Sequence, residues 1–128
     1  VLTREARKIL SDQVSLAKHI EQTGNLGGLI VGLFQSDFGL IRRSLKDVII
    51  EPQRSVLIPC FDEIKEMAGS LGALGCSISG AGPSIFALCD NTLVAEEIGK
   101  TAEKIFNRNK INCQVFISGI NQEGAIKF

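Results

Sequence analysis

The chain has 128 residues, enough for one domain with a single sizeable core. Hydrophobic residues make up 45% and charged residues 22%, the composition of an ordinary globular domain rather than a disordered or low-complexity segment. Fourteen basic and fourteen acidic side chains cancel, so no basic footprint points to nucleic acid or an anionic membrane, and no apolar run is long enough to span a bilayer.

Helical periodicity begins after Thr3, a plausible N-cap, with Ala6, Leu10, Val14 and Ala17 on one face and Ile9, Leu16 and Ile20 widening the stripe. The pattern predicts one helix that Gly24 ends. Leu26–Phe34 reads as a second helix if Gly27, Gly28 and Gly32 admit a close neighbour. Ser36 or Asp37 then caps a third helix through Ile41, Leu45 and Val48. Glu51-Pro52 is expected to break the helical run, because proline disfavours helical geometry in the residue before it. Pro59 opens a further helix, with Phe61, Ile64, Ala68 and Leu71 inward and Asp62 and Glu63 at its positive end.

Beyond Gly72 the period changes. Leu74, Cys76 and Ile78 alternate with Gly75, Ser77 and Ser79 as a half-buried strand, and Ile85–Cys89 is the unbroken apolar run of a central one. Asn91 or Thr92 caps a helix that turns Val94, Ile98, Ala102 and Ile105 inward. Cys113, Val115 and Ile117 alternate as a third strand, and residues 125–128 make a short fourth after Gly124. The expected fold class is α+β, with an antiparallel four-stranded sheet packed against helices.

Cys60, Cys76, Cys89 and Cys113 are widely spaced and form no C-x-x-C pair, and the only histidine, His19, lies elsewhere in a helix. No metal site is expected, and reduced thiols in a cytoplasmic protein are. No catalytic residue is assigned: one histidine supports no Ser-His-Asp arrangement, no phosphate-cradling G-x-x-x-x-G-K-[ST] occurs, and Asp62 and Glu63 read as helix-end charges.

Two features carry binding chemistry. Gly80, Ala81, Gly82, Pro83 and Ser84 form a turn between the two clearest strands. It is either a hairpin connection or a concave nest of amides facing an anion or a phosphate loop. Arg54, after Glu51-Pro52-Gln53, sits on a stiff connection suited to bidentate capture of a carboxylate and reads equally as a solvated charge, while Arg7, one turn into the first helix, reads first as a solvated charge.

The order of residues is more specific than their spacing. T-x-x-A-R at Thr3–Arg7, D-V-I-x-E-P-x-R at Asp47–Arg54, L-x-P at Leu57–Pro59 and S-G-A-G-P-S at Ser79–Ser84 follow one another as in the homoserine kinases. On these motifs the chain resembles that branch of the GHMP small-molecule kinases over its whole length. The resemblance implies a ferredoxin-like C-terminal domain at residues 1–128, cut from a longer polypeptide. It implies ATP-dependent phosphorylation of the hydroxyl of L-homoserine, for threonine biosynthesis. Arg7 and Arg54 occupy the positions that hold the substrate carboxylate, and Gly80–Ser84 the motif that supports the phosphate-binding loop.

The family's own nucleotide loop and its Mg²⁺-binding carboxylate belong to an N-terminal domain. ATP and Mg²⁺ are therefore expected to be bound mainly there, with that domain as the principal partner and a homodimer as a further option. Two alternatives stand beside this reading: another GHMP kinase acting on mevalonate-like or sugar substrates, which has no use for paired carboxylate-binding arginines, and a non-catalytic ferredoxin-like binding or dimerisation module.

Overall fold

The computed structural model describes residues 3–124. Along them run α1 (Thr3–Lys8), α2 (Leu16–Gln35), α3 (Phe38–Ser44), α4 (Glu51–Arg54), α5 (Phe61–Ser70), β1 (Gly75–Ile78), β2 (Ile85–Leu88) and α6 (Thr92–Arg108). A 3-10 turn at Ser55–Leu57 joins α4 to α5.

The single helix expected from Thr3 to Gly24 is interrupted, because Ser11 offers the main chain other partners. Its Oγ donates to the Gln13 carbonyl at 2.9 Å and accepts the Gln13 amide at 3.2 Å, and its own amide donates to Gln53 Oε1 at 2.7 Å. The helix restarts at Ser15, whose side chain accepts the Lys18 amide. Gly24 does not stop α2, which runs on to Ser36 in the left-handed conformation at φ 54°. A helical glycine costs only about 1 kcal/mol against alanine, and the packing of α2 on α3 outweighs it. Two of the glycines make that packing close: a Cβ on Gly28 would collide with Ser44 Oγ, and one on Gly32 would lie 3.0 Å from the Ile41 amide nitrogen. The opposite face of α2 is apolar and open to solvent, with Leu16 73% and Phe34 89% exposed.

Asp37 caps α3 by accepting the Leu40 amide at 2.9 Å. α3 stops at Ser44, short of Leu45 and Val48, and the following loop is bound by side chains. Gln22 Oε1 accepts the Val48 amide at 2.8 Å, and Asp47 Oδ1 accepts the amides of Ile49 and Ile50 at 2.9 and 2.7 Å. The helical break therefore lies before Glu51-Pro52 rather than at it. Pro52 sits in the first turn of α4, where its missing N–H is one the helix would leave unbonded.

β1 and β2 pair antiparallel, with Cys76 opposite Ala87 and Ile78 opposite Ile85. β1 is packed on both faces, while β2 leaves Phe86 and Ala87 exposed. Ile64 and Ala68 of α5 and Ile98 and Ile105 of α6 close over Cys76 to form the core. On the other face, Leu45, just after α3, packs on Gly75, where any Cβ would strike its side chain. Asn91 caps α6, its side chain accepting the Val94 amide at 2.9 Å.

The expected four-stranded sheet is two-stranded among the described residues. Residues 113–117 keep their alternation but bond into no ladder. Val115 and Ile117 lie instead against α6 at Gly99, where an added Cβ would come within 2.9 Å of Val115. A cleft of about 1320 Å³, lined by β2, α6 and residues 111–120, takes the place of a third strand. Alternation makes a segment fit for a sheet, but a strand also needs a partner edge. The fourth strand, at 125–128, lies outside the described residues.

Candidate functional site

The stiff connection inferred around Arg54 is the four-residue helix α4, and each of its side chains other than proline has a separate partner. Arg54, its last residue, donates from Nε to the Ala6 carbonyl at 3.0 Å and from Nη1 to the Gly80 carbonyl at 3.2 Å. One guanidinium thus bridges α1 and the glycine turn, 48 and 26 residues away in sequence. Arg7 immediately follows Ala6, so the two arginine positions are neighbours on the fold, with Arg7 exposed and Arg54 half-buried.

Gln53 adds a second tie to the first segment through the Ser11 amide, and its Nε2 donates to the Ile49 carbonyl at 2.6 Å. Glu51, at the start of the helix, is only 8% exposed. Its Oε2 accepts the Ser77 hydroxyl at 2.5 Å, and Oε1 is paired with Lys65 Nζ of α5. Lys65 also stands 5.8 Å above the Phe61 ring. A carboxylate this deeply placed is stable only when paired and hydrogen-bonded, and both oxygens are satisfied.

The turn itself is a hairpin loop. The Ser79 amide donates to the Ser84 carbonyl at 2.8 Å and the Gly82 amide to the Ser79 carbonyl at 3.1 Å. Gly80 and Gly82 take φ values of +61° and +78°, and a Cβ on Gly82 would lie 2.8 Å from Ile58 Cδ1. Gly80, Pro83 and Ser84 are exposed, and Ala81 and Gly82 half-buried, so the loop presents its rim outward. Within it the Ser79 and Gly82 amides are bonded inside the loop, and Pro83 has none to offer.

Glu51, Lys65 and Ser77 were not among the sequence candidates. The one local signal was an acidic residue ending the apolar run Val48-Ile49-Ile50. Beneath the strand, Cys76 is 4% exposed; burial pushes its thiol up to about 11, with nearby Lys65 drawing it down and Glu51 adding to the rise. Burial and then Asp90 raise Cys89 as well. Among the described residues no three His, Cys, Asp or Glu side chains gather as a metal site, and no helix is long and apolar enough to cross a membrane.

A hairpin between helical layers, with an arginine joining the domain's first helix to a glycine turn, defines a class. Residues 29–108 match the family described as GHMP kinases C terminal, and the chain belongs to it. Its relatives are more particular. It is 44% identical over 125 residues to a homoserine kinase of Chlorobium phaeovibrioides, covering 96% of this chain and 39% of that protein. A homoserine kinase of Xylella fastidiosa is 35% identical over 123 residues, covering 96% of this chain and 38% of that protein. The crystal structure of homoserine kinase from Cytophaga hutchinsonii superposes with a TM-score of 0.93 at 50% identity, over 95% of this chain and 39% of that one. The chain spans about two fifths of the length of the relatives it matches.

Proposed function

We propose that this chain is the C-terminal domain of a cytoplasmic, ATP-dependent homoserine kinase that makes O-phospho-L-homoserine for threonine biosynthesis. The homoserine hydroxyl oxygen forms a bond to the γ-phosphorus, the bond from that phosphorus to the β–γ bridging oxygen breaks, ADP leaves, and the hydroxyl proton is released. Catalysis of this kind rests on positioning and charge stabilisation around the nucleotide. The observation that carries the reading is Arg54, whose guanidinium binds the carbonyl of Ala6, the residue before Arg7, at one end and that of Gly80 at the other.

In this proposal Arg7 and Arg54 hold the α-carboxylate. Two of Arg54's five N–H donors are committed to main-chain carbonyls, and those on Nη2 and the second on Nη1 suit a carboxylate oxygen. Gly80, Ala81, Gly82, Pro83 and Ser84 form a wall supporting the phosphate-binding loop of an N-terminal domain, the main partner, which binds ATP and Mg²⁺. The Mg²⁺ would neutralise phosphate charge when bound; the described residues offer it no cluster of their own. An ADP-release assay of the full-length protein with L-homoserine, mevalonate and amino alcohols lacking the carboxylate tests the assignment. Strong preference for homoserine supports it, and equal turnover of the carboxylate-free alcohols refutes it.

A further inference from the structure

α4 is one turn long, and a helix of that length has no stability of its own in water. Its N-cap, Ile50, supplies no side-chain hydrogen bond, so its place is set by its side-chain ties to the rest of the fold. Two of those ties reach one stretch of chain. Glu51 takes the Ser77 hydroxyl on β1, and Arg54 takes the Gly80 carbonyl three residues further on. Three residues advance about 10 Å along a strand and about 4.5 Å along a helix, and the long arginine side chain spans the difference. A helix held at one point can swing about it, whereas two points on the same strand and turn fix both its position and its tilt.

The energetics favour a role in placement over one in stability. A buried ion pair gains little net stability, because the cost of removing both charges from water offsets their attraction. Glu51 carries most of that cost, nearly enclosed while the Lys65 side chain stays 35% exposed, in the same turn of helix as the candidate substrate arginine.

We propose that Glu51 is a positioning residue: by binding Ser77 and Lys65 it fixes α4 on β1 and so sets where the Arg54 guanidinium stands between α1 and the Gly80 turn. The consequence for homoserine rests on the proposed function, but the consequence for the turn does not. Lys65 supplies charge balance and Ser77 supplies register. Glu51→Asp keeps the charge and shortens the arm, whereas Ser77→Ala removes only the register contact.

The test uses the full-length protein with Glu51→Gln, Glu51→Asp and Ser77→Ala, read by amide hydrogen exchange and by steady-state kinetics. In all three, exchange at residues 79–84 should accelerate at least tenfold, with exchange in α6 unchanged. The homoserine KM should rise about tenfold, with kcat within threefold. Glu51→Asp behaving as the parent would show that only charge matters and would overturn the proposal. So would faster exchange spread evenly over the domain, the mark of general destabilisation. Should the protein prove not to phosphorylate homoserine, the functional assignment falls while the exchange measurement still decides the role of Glu51. If the Glu51 variants fail to fold, Ser77→Ala decides alone.

Discussion

Ile58 Cδ1 occupies the space that a side chain on Gly82 would need: an added Cβ would sit 2.8 Å from it, on a backbone already at φ +78°. Gly82→Ala should therefore meet two separate penalties, left-handed strain and overpacking, together about 2–4 kcal/mol. Ile58→Val removes the obstructing methyl but not the strain. In urea unfolding, the double variant should recover part of the loss. Full additivity of the two substitutions would show that the contact is not the cause.

Arg54→Leu in the full-length enzyme should lower kcat/KM for homoserine by roughly 30- to 160-fold, the equivalent of about 2–3 kcal/mol for a charge-assisted contact. Because Nη1 also holds the Gly80 carbonyl, the ATP KM should rise too, though by less. Arg54→Lys should restore only a fraction, since a point charge cannot replace the fork. Unaltered homoserine kinetics in the Leu variant would remove Arg54 from the site.

Burial of the Cys76 thiol should make the domain's stability depend on pH in the alkaline range. An unfolded thiol loses its proton near 9.0, whereas the buried one holds it to about 11. Between these values the unfolded chain binds fewer protons than the native one, so stability should fall as pH rises from about 9 to 11. The informative quantity is the difference between the parent and Cys76→Ala in urea midpoints at pH 8, 9.5 and 10.5, which isolates the thiol. That difference should shift against the parent across the window. A constant difference would mean that the thiol is not held neutral.

Glycines in α2 should divide by their neighbours. Gly27 has nothing within 4 Å of where its Cβ would be, so Gly27→Ala should stabilise by roughly 0.5–1 kcal/mol through helix propensity. Gly32→Val should destabilise by about 1–3 kcal/mol, because Ile41 and its main-chain nitrogen stand in the way. Thermal melts of the two variants moving in the same direction would contradict the packing of α2 on α3.

The 128-residue chain by itself should show no homoserine-dependent ADP release, because the proposed function places the phosphate-binding loop and the Mg²⁺ site on an N-terminal domain, and the described residues hold no clustered metal ligands. Turnover at rates usual for kinases, of about 1–100 s⁻¹, would contradict the division of labour proposed here.

What could be read from the sequence was whatever a short stretch decides for itself. The Asn91 cap, the apolar period of α5 and α6, and the β1–turn–β2 hairpin all follow from neighbouring residues. Arg54 was legible as a candidate because it follows an unusual dipeptide. The break after Lys8 was not, because it depends in part on a bond between Ser11 and Gln53, 42 positions apart. Glu51 was missed for the same reason, since its partners lie 14 and 26 residues away. The alternation at 113–117 misled because periodicity describes a segment's faces and says nothing of whether a neighbouring edge will accept it.

The helix Glu51-Pro52-Gln53-Arg54 also constrains how this protein can change over generations. Glu51 answers to α5 and β1, Gln53 to the loop after α1, and Arg54 to α1 and the glycine turn. Exchanging any one of these side chains removes a contact with a distant part of the chain. Neutral drift by single steps should be slow here, and a library of random variants should tolerate α4 less well than the solvent-facing side of α2. Three codons within one turn of helix would then record changes in α1, α5, β1 and the glycine turn.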